Sequence, residues 1–172
     1  MLIAIDQDKE WHGGRVQCIR EHVIHLMRGE IYDIDGRSFF AMGGAYSADK
    51  DRRTPGSSWW PQEVPSQKER DYAECQLEKY GWKVDYVLSH AAPSSALRDI
   101  DPDWPPMLIP DEYTEWLQSV ADKLSFTRWF HGHYHAGRWW DTRFTCLYEE
   151  IFDLDNTGRT PYGSNTDPFE VD

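Results

Sequence analysis

Twice in this chain a short apolar run ends on a histidine: Val84–Ser89 leads into His90, and Thr127–Phe130 leads into His131. Each run is too short for a helix, and each follows a segment with helical spacing, so each reads as a buried strand reached from a helix. The first helical segment opens at Ser66-Gln67-Lys68-Glu69, a capping box in which Ser66 caps and Glu69 reaches back. Ala73, Leu77 and Tyr80 then recur at helical spacing until Gly81 ends the pattern. The second opens at Asp111, after Pro110, and carries Tyr113, Trp116, Leu117, Val120 and Leu124 on one face. Tyr113, Trp116 and Leu117 are therefore assigned to the core.

Ahead of this alternation lie strand-like runs in quick succession: Val16–Ile19, Val23–Leu26, Glu30–Ile34 and Ser38–Met42, with Leu2–Ile5 before them. Asp35-Gly36 between the third and fourth predicts a hairpin, because both residues tolerate positive φ. Val16, Cys18, Val23, Ile24 and Leu26 supply the expected inward-facing positions. Gly43–Pro65 reads as a long loop, and Arg143–Tyr148 as a last core strand. Hairpins followed by alternating strands and helices predict an α/β layered fold with a mixed β-sheet and flanking helices. The expected organisation is one domain over residues 1–152, with a peripheral or disordered acidic tail over 153–172.

Charge narrows the partners. With 30 acidic against 18 basic residues the chain has a formal net charge of -12. Such a surface repels phosphate backbones, so no nucleic-acid patch is expected. Cys18, Cys75 and Cys146 form no paired motif and read as buried thiols in a reducing compartment. Met1–Asp6 lacks a basic leader, and no stretch has the roughly 20 apolar residues of a membrane span. A cytoplasmic location is the expectation.

His90, His131, His133 and His135 all fall at strand ends, where α/β sheets assemble their sites. Neutral imidazole is the commonest protein ligand for zinc and related metals. In Gly132-His133-Tyr134-His135 the two imidazoles point the same way on a strand, or straddle two ions on a loop. Other candidates weighed are Asp49, Asp51, Arg52 and Arg53, as a phosphate-lining loop or a solvated one. Trp59-Trp60 and Trp139-Trp140 are weighed as binding surfaces or as loop packing.

Val87-Leu88-Ser89-His90-Ala91-Ala92-Pro93 and Trp129-Phe130-His131-Gly132-His133-Tyr134-His135 together resemble the last two motifs of calcineurin-like metallophosphoesterases. Gly43–Lys50 and Ser58–Pro61 are similar to a bacterial subgroup of that family, and the similarity runs from about Glu10 to about Leu154. The resemblance implies an α/β sandwich whose strand ends hold metal, and hydrolysis of phosphoesters. It places His90 and His133 on one metal ion and His135 on the other, the ions being divalent manganese, zinc, iron or nickel. The family's earlier motifs, an Asp-x-His, a Gly-Asp-x-x-Asp and a Gly-Asn-His followed by an acid, are absent from this sequence, and no catalytic residue is assigned. Leu2–Asp6 resembles the strand that precedes the last of them, with Asp6 and Asp8 as possible stand-in carboxylates. Without the bridging carboxylate two close cations repel, so the expectation is at most one ion per chain. A separately encoded N-terminal half, or a second copy in a homo-oligomer, would complete the site; the alternative is a non-catalytic metal- or protein-binding remnant.

Overall fold

The computed structural model describes residues 9–47, 49–100, 109–135, 138–139, 143–149 and 151–154, without the side chains of 98–100 and 138–139. The chain begins with a three-stranded antiparallel sheet, β1 (Lys9–Trp11), β2 (Gly14–Arg20) and β3 (Val23–Leu26). A six-stranded mixed sheet follows, in the order β4 (Glu30–Ile34), β5 (Arg37–Met42), β6 (Tyr86–Ser89), β7 (Arg128–His131), β9 (Phe144–Cys146) and β8 (Arg138–Trp139). Among the described residues three α-helices are interleaved: α1 (Gln67–Lys79), α2 (Ser94–Ile100) and α3 (Glu112–Lys123). The expected mixed α/β architecture is what the chain adopts.

Local chemistry accounts for these elements. Asp35 and Gly36 take φ of 53° and 73°, and Asp33 Oδ1 accepts from Gly36 N–H at 3.0 Å, which closes the β4–β5 hairpin. In α1 the Ser66 Oγ accepts from Glu69 N–H while Glu69 Oε2 accepts from Ser66 N–H. Asp111 Oδ1 accepts from the amides of Tyr113 and Thr114 and so starts α3.

The central strands β5, β6, β7 and β9 are mutually parallel, so their C-terminal ends share one edge. One face of the sheet presents Phe40, Met42, Val87 and Trp129 to Ala73 and Leu77 of α1 and to Tyr113, Leu117 and Val120 of α3. Full burial of each larger apolar side chain there contributes about 1.5–3 kcal/mol. The opposite face presents Phe39, Tyr86 and Phe130, packed by Leu147, Phe152 and Leu154. The small sheet joins through Val16, which packs with Tyr32 and Ala41.

Several expectations need correction. Val23 and Ile24 are exposed, because a register shift between Cys18 and Arg20 breaks the alternation and the small sheet meets the large one only around Val16. Tyr80 caps α1 and lies exposed rather than in its apolar stripe. Of the cysteines only Cys146 is buried; Cys18 is half-buried and Cys75 exposed. The elements β1, α2 and β8 were not anticipated. The Leu2–Ile5 strand, Asp6, Asp8, Trp140 and residues 155–172 lie outside the described residues. No helix among the described residues is long and apolar enough to cross a membrane.

Candidate metal-binding edge

Two parallel strands deliver the histidines. His90 follows the last residue of β6, and His133 lies two residues beyond the end of β7. Gly132 N–H donates to the His90 carbonyl at 3.1 Å, which ties the two strand-end loops together. Behind them, the indole of fully buried Trp129 donates to Ser89 Oγ at 2.7 Å, and Ser89 Oγ donates to the Ala91 carbonyl at 2.6 Å. Tyr134 Oη accepts from Ala92 N–H at 3.1 Å. These bonds fix where the β6 and β7 loops stand relative to each other.

The result is a close imidazole pair: His133 Nδ1 and His90 Nε2 are 3.2 Å apart, with the rings edge-on at 69°. That separation suits a hydrogen bond in which one nitrogen carries the proton. It also suits a shared cation, because two nitrogens each 2.0–2.1 Å from a tetrahedral ion stand about 3.3 Å apart. His133 and His135 both adopt left-handed backbone, with φ of 70° and 50°. Such residues cost roughly 1–3 kcal/mol and cluster at functional sites.

His135 takes a different course from the other two. Its ring stacks on Tyr148 at 5.0 Å and 21°. Among the described residues no group of three histidine, cysteine or acidic side chains converges to hold a metal. The geometry therefore brings His90 and His133 together and leaves His135 beside them.

Electrostatics favour the neutral form of the pair. Burial and the neighbouring His135 depress the His90 pKa, and burial, His90 and His135 depress that of His133. Asp111 and the Tyr46 backbone pull His133 the other way. Asp111 was legible in the sequence only as a helix start, and its charge reaches the site because α3 begins at this same edge. His131 points into the interior, 2% exposed, and neither ring nitrogen makes a hydrogen bond of good geometry. Burial brings its pKa down to about 4, with the Gly132 backbone offsetting part of the shift.

The structure places two of the other candidates. Asp49 pairs with Arg53 at 2.8 Å on a solvated loop. Trp60 is 46% exposed, and Trp116 donates its indole N–H to Glu74. No family model, curated protein or solved structure matches the chain.

Proposed function

We propose that the His90–His133 edge holds one divalent cation (manganese, zinc, iron or nickel) and that the chain forms part of a metallophosphoesterase-type phosphoester-hydrolysing site. The observation that carries this reading is the 3.2 Å separation of the two imidazole nitrogens at the C-terminal edge of a parallel sheet. Both residues fit the group chemically, since their lowered pKa values favour the neutral imidazole, the form that ligates. A bound cation supplies Lewis acidity toward a phosphoryl oxygen.

The chain's own residues orient that site. His90 and His133 hold the ion, Gly132 and Tyr134 lock the loops that carry them, and His135 stands next in line. Two imidazoles grip an ion weakly compared with the three or four ligands of established sites. Efficient hydrolysis then requires carboxylates from elsewhere, supplied by a separate N-terminal half or a second copy. The absence of a three-ligand cluster among the described residues favours a second reading, a metal-binding module without catalysis of its own.

The deciding experiment is hydrolysis of an aryl phosphodiester by the metal-stripped chain with manganese, zinc or nickel restored. The expected result is one weakly bound ion, lost in His133→Ala, and turnover no faster than in buffer. Fast metal-dependent turnover that His133→Ala abolishes would establish a complete site in the chain itself. Failure of any of these metals to bind would overturn the proposal.

A further inference from the structure

A cavity of about 590 Å³ between the small sheet and α1 inverts the charge balance of the chain. Arg15, His25, Arg28 and Lys68 line it together with Glu69, and a second carboxylate, Glu30, stands behind Arg15. Across the whole chain acids outnumber bases by 30 to 18. A concentration of cations in an otherwise acidic protein calls for an explanation at the site itself.

Both arginines are held in place. Arg15 Nε donates to buried Glu30 Oε1 at 2.6 Å, and its guanidinium carbon stands 4.9 Å over the Tyr72 ring. Arg28 Nη1 donates to Glu69 Oε1 at 3.1 Å, while Nη2 donates to the carbonyls of Gln62 and Glu63 at 2.9 and 3.2 Å. A guanidinium has five N–H donors, so each keeps donors beyond those these bonds use. Lys68 adds a third permanent charge from the first turn of α1, and the His25 ring lines the cavity from β3.

Held guanidinium forks match the oxygens of phosphate and lose little entropy on binding it. The surrounding negative charge opposes an extended polyanion but leaves a single compact oxyanion attractive to the cavity. We propose that this cavity binds a phosphate group, either inorganic phosphate or the phosphate of a small organic ligand. None of its lining residues belongs to the histidine edge, so the inference stands independently of metal binding there.

The test titrates inorganic phosphate, and separately phenyl phosphate, into the metal-stripped full chain at fixed chloride-balanced ionic strength. Calorimetry reads affinity, and the methyl resonance of Met27, which lines the cavity, reports location. Saturable binding with a Met27 shift, weakened at least about fivefold by Lys68→Glu and by Arg15→Lys, is the expected result. Tighter binding of phenyl phosphate would identify an organic phosphate as the ligand, and equal binding would identify phosphate itself. Binding that leaves Met27 unmoved, binding indifferent to both substitutions, or none below roughly 10 mM overturns the assignment.

Discussion

His90 Nε2 and His133 Nδ1 face each other at 3.2 Å across the ends of two adjacent parallel strands, 43 residues apart in sequence. Neither loop alone creates the contact; the Gly132–His90 backbone bond and the sheet register do. A pair held this way has little reorganisation left to undergo when an ion arrives. Zinc or nickel is expected to bind with one-to-one stoichiometry, and His90→Ala or His133→Ala to weaken binding at least tenfold by calorimetry. Unchanged affinity in both variants would show that the ion sits elsewhere.

His135 is expected to matter less. Its stacking on Tyr148 sets it apart from the close pair. Affinity for the first ion should fall less than about threefold in His135→Ala, a difference of under roughly 0.7 kcal/mol. A loss equal to that of His133→Ala would make His135 a ligand of the same ion.

Acid should destabilise the metal-free chain through His131. Its folded-state pKa of about 4 lies below the ordinary value near 6.5, so the unfolded chain takes up the proton first as pH falls. The stability contribution is present above pH 6.5 and is lost between there and about pH 4. Going from pH 7.5 to 4.5 this amounts to roughly 2–3 kcal/mol. His131→Leu removes both unpartnered nitrogens and should lose correspondingly less stability over the same pH step in urea denaturation. Identical acid sensitivity in the two proteins would contradict the buried, unpaired state of the ring.

Gly44→Ala should be severe. Gly44 sits at φ 109°, and an added Cβ would lie 2.5 Å from the Glu63 carbonyl oxygen. Its own carbonyl accepts from Ala91 N–H at 3.3 Å, so the clash bears on the loop that carries His90. A loss of about 2–4 kcal/mol is expected in thermal denaturation. A loss below about 1 kcal/mol would mean that the Gly43–Pro65 loop relaxes at little cost.

What the sequence made legible was local. Ser66 with Glu69, Asp35 with Gly36 and Asp111 before α3 each write their structure in neighbouring residues, and each forms as expected. The apolar stripe from Tyr113 to Leu124 likewise faces the core, with Trp116 at its margin. Features that depend on distant partners were not legible. Exposure of Val23 and Ile24 follows from a register shift and from where the small sheet touches the large one. The helix α2 is short and is fastened from outside, with Ser94 Oγ donating to Glu115 and Ser95 N–H donating to Gln118 of α3.

The candidate site divides in the same way. That His90 and the His131–His135 segment lie at strand ends could be read from the runs before them. Which imidazoles meet could not, because it depends on the left-handed turns at His133 and His135 and on the Tyr148 ring. Nor could the basic cavity, whose residues come from β2, β3, the turn before β4 and α1.

The parallel pairing of β5, β6, β7 and β9 also bears on how the chain folds. Ser38 and Asp85, bonded across the start of the β5–β6 pair, are 47 residues apart, so no nascent hairpin can template that pairing. The sheet centre must close long loops before it gains contacts, which places folding among the slower topologies. During synthesis β4 and β5 emerge as a ready hairpin, but the face of Phe40 and Val87 stays part-covered until α3, which brings Tyr113, Leu117 and Val120 onto it, follows β6. For that interval the growing chain displays an apolar sheet face, and slowing synthesis between Ser89 and Lys123 should increase its aggregation.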